Sequence, residues 1–183
     1  MPVVATHRVL RSGMALNLQP TLRGDLLELR PLRREDFEAL YAAASDPLIW
    51  ELHPEPTRYR REVFQKYFDS GIASGGAFAV IERSTGRIIG STRYHDYKPE
   101  PPGEVEIGYT FLERAYWGGR YNGEMKRLLI GHALVAVGRV VFRAGEHNLR
   151  SRRALEKIGA RLKGPADRPA PDGGRNLMYE ITR

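Results

Sequence analysis

The amino-acid sequence predicts an α/β fold, in which a single domain contains a mixed, mostly antiparallel sheet flanked by about four helices. Three consecutive segments with strand character, between residues 77 and 111, are separated by a short turn and a loop and therefore indicate an antiparallel meander. After them, helix and strand patterns alternate, which is typical of the mixed half of an α/β sheet. The chain of 183 residues has no internal repeat and the length of one domain. Residues 1–22 show no hydrophobic period, so we expect a flexible N-terminal extension before a domain that spans residues 23–183.

The N-terminal third of this domain is predicted to contain one strand and two helices. The alternating residues 26–30 predict a strand, and the apolar spacing over residues 34–44 predicts a helix that ends before a proline. Thr57 is a candidate N-cap for a second helix, which is expected to end near Gly71.

The central and C-terminal strands follow from turn residues between apolar segments. The predicted strands are residues 77–83, 88–94, 105–111, 139–144 and 176–181. Ser-Thr-Gly-Arg at residues 84–87 predicts a hairpin turn, and the Pro-rich residues 98–103 predict a loop. A second Pro-containing loop is predicted at residues 164–174, before the last strand.

A turn with three glycines at residues 116–124, Tyr-Trp-Gly-Gly-Arg-Tyr-Asn-Gly-Glu, opens a predicted amphipathic helix. One face of that helix contains Met125, Leu128, Leu129, His132, Ala133 and Ala136. Glycine allows backbone N–H groups to converge, and a helix N-terminus carries about half a positive charge. The segment therefore predicts an anion site that a pyrophosphate would fit. An ordinary strand-to-helix turn accounts for the same residues.

Another helix is predicted at residues 148–159. Asn148 is a candidate N-cap, and Gly159 is a natural end. The apolar stripe consists of Leu149, Ala154, Leu155 and Ile158. The polar residues of the first turn are Arg150, Ser151, Arg152 and Arg153, which are either solvated surface groups or groups that face a ligand.

Taken together, these two segments resemble the acyl-CoA-binding core of the GNAT acetyltransferase superfamily, specifically the branch that includes the bacterial ribosomal-protein N-terminal acetyltransferases. There the pattern is approximately Trp-Gly-x-Gly-x-Ala-x-Glu, then Asn-x-x-Ser-x-x-x-Leu-x-Lys-x-Gly. The matching residues are Trp117, Gly118, Glu124, Asn148, Ser151, Leu155, Lys157 and Gly159. Arg120 stands where the pattern has glycine, and Asn122 where it has alanine or glycine. The resemblance covers residues 26–182.

This resemblance implies a splayed sheet, with the pantetheine arm of acetyl-CoA between the strands before and after the phosphate loop. The implied cofactor-binding residues are Trp117, Gly118, Gly119, Arg120, Tyr121, Asn122, Gly123, Asn148 and Arg152. Ser151 would then lie near the sulfur and donate to the departing thiolate, although its hydroxyl can equally satisfy the first helical turn. The implied enzyme is an N-acetyltransferase that moves acetyl from acetyl-CoA to a primary amine by direct attack in a ternary complex. The acceptor is a protein N-terminus or a small-molecule amine.

Carboxylates on the strand before the phosphate loop are the candidate general bases. Glu104 and Glu106 are two residues apart and therefore share one strand face. We predict that Glu106 is the base and works through a water chain, because Glu-Ile-Gly-Tyr matches the strand of this branch; a surface or structural carboxylate is the alternative for the same residue. Glu104, Tyr94 and His95 are predicted to line the acceptor pocket, although His95 can equally be a loop histidine with no chemical role. Deprotonation at pH 7 costs about 4.6 kcal/mol for a lysine side chain but about 1 kcal/mol for an α-amine, so an α-amine demands less of the base.

Composition argues against several other chemistries. Because cysteine is absent, a disulfide framework, a thiolate zinc site and an enzyme thioester are excluded. The five histidines are scattered, so no metal site is expected, and neither glycine motif of nicotinamide or ATP enzymes is present. No apolar run is long enough for a membrane span, and we expect a cytoplasmic location.

The net charge of +7 suits a polyanionic partner. Coenzyme A is such a partner, and a nucleic acid is a less favoured one because the basic residues are spread along the chain. Two alternatives to the enzyme therefore stay open: a catalytically silent acyl-CoA-binding module and a nucleic-acid-binding protein. The sequence also leaves a homodimer open.

Overall fold

The computed structural model describes residues 15–170 and 173–183, which form eight strands and four α-helices. The strands are β1 (Leu22–Arg23), β2 (Leu27–Pro31), β3 (Ala77–Glu82), β4 (Ile88–Lys98), β5 (Glu104–Leu112), β6 (Arg139–Gly145), β7 (Arg161–Pro165) and β8 (Asn176–Thr182). The helices are α1 (Phe37–Ala44), α2 (Arg61–Ser74), α3 (Arg120–Ala136) and α4 (Leu149–Lys157). None of these helices is long and apolar enough to cross a membrane.

The strands form one sheet in the order β1-β2-β3-β4-β5-β6-β8-β7. β5 and β6 are parallel, and every other neighbouring pair is antiparallel. The predicted fold class, a mixed and mostly antiparallel sheet with four helices, is therefore confirmed. β7 was not predicted, because this short strand ends in Gly164 and Pro165 and has no buried residue that would produce an alternating pattern.

Helices cover the two faces of the sheet unequally. On one face, α3 packs against strand residues that include Phe78, Ile107 and Phe142. On the other face, α1 and α2 pack against β3, β4 and β5, around Phe64 and Trp50. The second face beside β5, β6 and β8 instead carries charged side chains, and this polar region contains the candidate acceptor site described below.

The predicted start and end of α2 were wrong. The helix begins at Arg61, with the backbone of Arg60 at the N-cap, and it continues through Gly71 to Ser74. Thr57 lies outside the helix, and its hydroxyl contacts the Glu55 carboxylate. Gly71 allows α2 to pack closely against β4, because a Cβ there would lie 3.2 Å from Nη2 of Arg93.

The start of the domain is well packed where the structure describes it. Leu16 is 6% exposed, and its N–H donates to Oη of Tyr97 at 3.1 Å. Residues 1–14 of the predicted extension lie outside the described residues. The boundary at residue 23 therefore stays a prediction.

β5 and β6 separate after a short region of pairing. Their register covers only three pairs, Glu104 with Arg139, Val105 with Val140 and Glu106 with Val141. Beyond that point the two strands pair only with their other neighbours, β4 and β8. The sheet is therefore splayed, as expected, and Glu106 lies in the last pair before the opening.

Candidate acyl-CoA and acceptor site

The opening between β5 and β6 is the centre of the candidate site. A β-bulge interrupts β5 there, because Arg93 of β4 pairs with Gly108 while Ser91 pairs with Phe111. Tyr109, within the bulge, has a positive φ of 52°. Its carbonyl oxygen accepts a hydrogen bond from Oη of Tyr67 at 2.6 Å, which attaches α2 to the bulge.

α3 begins after β5, at the end of the glycine-containing turn within residues 116–124, which we call the glycine loop. Gly118 and Gly119 have φ values of 102° and 126°, a backbone region that only glycine adopts easily. No side chain caps the helix, and its first backbone hydrogen bond is donated by Gly123 to Gly119. The N–H groups of residues 120–122 therefore have no intrahelical partner, which is the arrangement that binds anions.

α4 lies across the opening from the glycine loop. Nζ of Lys157 is 3.5 Å from the position that a Cβ on Gly119 would occupy. The guanidinium of Arg150 lies 4.2 Å from the centre of the Trp117 ring. Lys157 thus adds a positive charge beside the loop. The motif match included this lysine, but the sequence alone did not assign it a role at the site.

The side chains of the glycine loop point in different directions. Nε1 of Trp117 donates to the Leu112 carbonyl at 2.9 Å, while Oη of Tyr121 donates to Glu82 at 3.2 Å. The Tyr121 ring therefore contacts β3 instead of the opening. Arg120 is exposed, and Asn122 is half-buried. The cofactor-binding assignments of Trp117 to Gly123 stay predictions, and for Tyr121 only the backbone faces the site.

The first turn of α4 brings Asn148 and Ser151 together. Oδ1 of Asn148 accepts the N–H of Ser151 at 3.1 Å, so the predicted N-cap is confirmed. Neither Oγ of Ser151 nor Nδ2 of Asn148 has a hydrogen-bond partner among the described residues. Both groups are therefore available to a ligand.

Arg152 differs from these two residues because its guanidinium is already engaged. Nε donates to Oη of Tyr179 at 3.1 Å, and Nη1 donates to the Glu146 carbonyl at 3.0 Å. These bonds attach α4 to β8 and to the end of β6. Its predicted contact with the cofactor stays a prediction.

Glu106 belongs to a charged cluster on the polar face of the sheet. Its carboxylate is 4% exposed, pairs with Arg143 and lies 3.4 Å from Nε2 of His95. On the other side of His95, Nδ1 is 3.6 Å from Asp96, which also pairs with Arg168. Burial lowers the pKa of His95 to about 4, so its imidazole is neutral at pH 7. Burial alone would raise the pKa of Asp96, but the neighbouring groups Arg168, His95 and Arg143 together hold it below the ordinary value.

Glu104 and Tyr94 do not line the open part of the cleft. Glu104 lies at the closed end, where it pairs with Lys98 at 2.8 Å and Arg139 at 2.5 Å. Burial alone would raise the pKa of Glu104, but these two cations lower it. Tyr94 is 1% exposed, and its Oη donates to the carbonyl of Leu129 in α3. The expectation that Tyr94 lines the acceptor pocket is corrected, because the ring belongs to the core on the α3 face.

Lys126 is a buried cation that the sequence analysis missed. It is 6% exposed in α3, and Nζ donates to Oγ1 of Thr110 at 3.0 Å and lies 5.5 Å from the Phe142 ring. Because Thr110 and Phe142 are on the two separating strands, Nζ lies at the opening. Burial lowers the pKa of Lys126 to about 7. The available signal was its spacing of three and seven residues from apolar Leu129 and Ala133, which places a lysine on the buried helix face.

The His95, Asp96 and Glu106 side chains also form a potential metal-ligand set, since one ligand atom from each lies within 4.8 Å of the others. However, Arg143 and Arg168 already neutralise the two carboxylates. A divalent cation would have to displace these guanidiniums. The cluster is therefore better suited to ion pairing than to metal binding.

Comparison with known proteins agrees with this geometry. A GCN5-related N-acetyltransferase from Brucella melitensis is 20% identical, with a TM-score of 0.82 over 93% of this chain and 82% of the other. A Vibrio cholerae protein assigned as a ribosomal-protein-serine acetyltransferase is 14% identical, with a TM-score of 0.73 over 89% and 97% of the two chains. The microcin C7 self-immunity acetyltransferase MccE, in complex with acetyl-CoA and AMP, is 14% identical, with a TM-score of 0.74 over 92% and 100%.

These likenesses establish the shared fold. No curated protein sequence gives a significant match. The family model for the acetyltransferase (GNAT) domain matches residues 27–161, which include β2, the splayed strands, the glycine loop and α4. The chain therefore belongs to the GNAT acetyltransferase family.

Proposed function

We propose that this protein is an N-acetyltransferase that transfers acetyl from acetyl-CoA to a primary amine by direct attack in a ternary complex. The acceptor is a protein N-terminus or a small-molecule amine. The observation that carries the proposal is the uncapped N-terminus of α3, which follows two glycines of positive φ beside the opening between β5 and β6. Membership of the GNAT family and the fold shared with MccE, solved in complex with acetyl-CoA, support the same donor.

The residues around the α3 N-terminus fit the pyrophosphate of acetyl-CoA. The free N–H groups of residues 120–122 would bind its oxygens, and the helix dipole favours negative charge there. Lys157, beside Gly119, would add a charge-assisted contact. Across the opening, the free Nδ2 hydrogens of Asn148 would bind the pantetheine arm.

Bound acetyl-CoA supplies an activated thioester. In the transfer, the amine nitrogen bonds to the carbonyl carbon, the carbon–sulfur bond breaks, and the sulfur takes up a proton. Ser151 is positioned by the α4 cap to donate that proton or a hydrogen bond, because its Oγ has no other partner among the described residues. Backbone N–H groups on the unpaired edge of β5 can stabilise the negative charge that develops on the carbonyl oxygen.

Glu106 is the proposed acceptor of the amine proton, through a water chain. It occupies the last paired position before the opening, and neutral His95 lies beside it. A carboxylate in contact with a guanidinium is a weak base, so an acceptor that is easily deprotonated suits this site. An α-amine meets that requirement better than a lysine side chain, whose deprotonation at pH 7 costs about 4.6 kcal/mol.

The Glu106–Arg143 contact also favours a second candidate function, a silent acyl-CoA-binding module. If Arg143 holds Glu106 permanently, the cleft would bind the donor without transferring its acyl group. The two functions differ in thiol release, because only the enzyme consumes acetyl-CoA when an amine is added.

Calorimetric titration of acetyl-CoA and free CoA, followed by thiol-release assays with a panel of primary amines, tests the proposal. Replacement of Gly119 by valine should weaken both ligands at least about tenfold, because valine cannot easily adopt a φ of 126° and lies beside Lys157. The matched control is Gly131→Ala, in the same helix with open space around it. This variant should bind as the parent does.

Each result has a defined meaning. Micromolar binding together with amine-dependent thiol release supports the enzyme. Binding without thiol release from any amine supports the silent module. Tight binding of a random oligonucleotide that weakens steeply as the salt concentration rises would instead indicate a nucleic-acid-binding protein. Absence of acetyl-CoA binding at millimolar concentration would refute the proposed donor.

A further inference from the structure

Two arginines near the β5 bulge contact no carboxylate among the described residues. Arg58 precedes α2, and Arg93 lies in β4. In the described part of the chain, neither guanidinium has an aspartate or glutamate oxygen within 4 Å. Since buried guanidinium groups are usually paired, the buried Arg93 and the partly buried Arg58 require an explanation.

Aromatic rings and a neutral histidine surround Arg58. Its guanidinium lies 5.1 Å from the Trp50 ring centre and 4.9 Å from that of Tyr67. Its Nη1 is 3.3 Å and 3.2 Å from the two ring nitrogens of His53. Burial lowers the pKa of His53 to about 3, so this ring is neutral. The nearby Glu55 carboxylate accepts the backbone N–H of Thr57 at 3.1 Å and contacts its hydroxyl.

Arg93 is buried more deeply. It is 4% exposed and donates to Oγ of Ser70 at 3.0 Å and to the Tyr67 carbonyl at 3.4 Å. Its Nε is buried without a hydrogen-bond partner. The guanidinium also lies 4.0 Å from the centre of the Tyr109 ring. These groups solvate Arg93 but supply no negative charge.

Two paired arginines near the same sheet face, one in β6 and one in the loop between β7 and β8, provide a contrast. Arg143 contacts Glu106, and Arg168 contacts Asp96. Each of these two ion pairs has a net charge close to zero. Arg58 and Arg93 therefore carry positive charge with no carboxylate in contact among the described residues, although Glu55 acts on Arg58 at longer range.

This charge lies next to the proposed reaction centre. Tyr109, in the bulge, contacts the Arg93 guanidinium on one side and the His95 ring, with centres 5.0 Å apart, on the other. His95 in turn lies 3.4 Å from Glu106. A molecule that reaches from Arg58 toward Glu106 would thus pass the unpaired edge of β5.

We propose that the acceptor is a primary amine that also carries an anionic group, either a carboxylate or a phosphate. Arg58 binds this group, and the positive charge of Arg93 adds to the attraction. This inference rests on the proposed N-acetyltransferase function and narrows its acceptor class. A guanidinium is well suited to an oxyanion, because its parallel N–H groups match two oxygens. The same positive charge disfavours an ammonium ion nearby and so helps to keep the acceptor amine neutral.

Matched acceptor pairs test the inference, and they separate the two anion types. Amino acids are compared with their amides, and O-phosphoethanolamine with ethanolamine, by thiol release at saturating acetyl-CoA. The anionic member of at least one pair should have a kcat/KM at least about tenfold higher than its neutral partner. The pair with the larger ratio identifies carboxylate or phosphate as the recognised group.

An Arg58→Gln variant should reduce that ratio to about twofold or less, whereas Arg58→Lys should retain part of it. Arg60→Gln, at an exposed position two residues away, is the control and should keep the parent ratio. Titration of each amine into the protein saturated with CoA provides a measurement without turnover. The anionic amine should bind more tightly to the parent, and the difference should disappear in Arg58→Gln.

The failures are distinguishable. Equal kcat/KM within every pair, or an unchanged ratio in Arg58→Gln, overturns this inference alone. Absence of thiol release from every amine, with acetyl-CoA still bound, overturns the proposed function and this inference together. Acetyl-CoA affinity within about twofold of the parent shows that Arg58→Gln is folded, so a lost ratio can then be assigned to the acceptor site.

Discussion

Glu124 accepts the backbone N–H of Leu27 at 2.8 Å, although the two residues are 97 apart in the sequence. The same carboxylate also accepts the N–H groups of Leu26 at 2.9 Å and Asp25 at 2.8 Å. A Cβ on Gly24 would lie 2.4 Å from the Glu124 carboxyl carbon, so the turn can approach only because it contains glycine. The glutamate of the glycine-loop motif therefore attaches α3 to the β1–β2 turn and does not face the ligand site.

Glu124→Ala should lower the free energy of unfolding by about 2–4 kcal/mol, because three N–H donors would lose a charged acceptor. Urea denaturation followed by circular dichroism measures this change. Glu156→Ala, at an exposed position in α4, is the control and should change stability by about 0.5 kcal/mol or less. Equal stability of Glu124→Ala and the parent would contradict the structural role.

Lys126→Met should stabilise the protein in the absence of ligand, most strongly at acidic pH. Burial lowers the pKa of Lys126 from 10.5 to about 7, so below pH 7 folding places a charged amine in the core. Between pH 7 and about 10.4 the unfolded chain holds a proton that the folded protein lacks, and the stability of the parent therefore rises with pH. The difference in free energy of unfolding between Lys126→Met and the parent should therefore shrink by about 2–4 kcal/mol from pH 6 to pH 10.

Thermal and urea unfolding across this pH range provide the measurement for Lys126→Met. Lys66→Met replaces an exposed lysine and is the matched control, for which the advantage should not vary with pH. If Lys126→Met is destabilised by the same amount at every pH, the lysine makes contacts that outweigh its burial.

Local patterns explain the parts of the site that the sequence predicted. Asn148 caps α4, and Gly159, with a φ of 83°, ends it, because both roles depend on the residue itself and on its immediate neighbours. Gly118 and Gly119 likewise adopt the positive φ values that glycine makes accessible. Glu106 was placed near the opening by the resemblance, and its position in the last β5–β6 pair agrees with that placement.

Long-range pairing explains the parts that the sequence could not predict. Arg143 and Glu106 come from different strands, and no spacing rule connects them. Tyr94 and His95 were both assigned to the acceptor pocket, but they are consecutive in β4 and point to opposite faces, so the Tyr94 ring faces α3. Arg58 and Arg93 are ordinary basic residues in the sequence, and only their shared contacts with Tyr67 reveal an unpaired charge.

Ser151→Ala should separate a catalytic hydroxyl from a structural one. Because Oγ has no hydrogen-bond partner among the described residues, the free energy of unfolding should change by about 0.5 kcal/mol or less. If Ser151 donates to the departing thiolate, kcat should fall by about 100-fold with little change in acetyl-CoA affinity. Asn148→Ala is the comparison, since loss of the cap should cost about 1 kcal/mol. A stability loss in Ser151→Ala with unchanged kcat would contradict the catalytic role.

Glu106→Gln tests the proposed base, but it also removes the nearer carboxylate partner of Arg143, which keeps only the Asp96 contact at 3.8 Å. We expect kcat to fall by about 100-fold or more and the free energy of unfolding to fall by about 1–3 kcal/mol, because Arg143 loses its nearest carboxylate. A single variant therefore cannot separate catalysis from stability. The double variant Glu106→Gln with Arg143→Met removes both charges and should recover most of the lost stability while kcat stays low. Urea denaturation and thiol-release kinetics on the same preparations measure the two effects. Recovery of kcat together with stability would show that Glu106 supports the fold and that the amine proton leaves by another route.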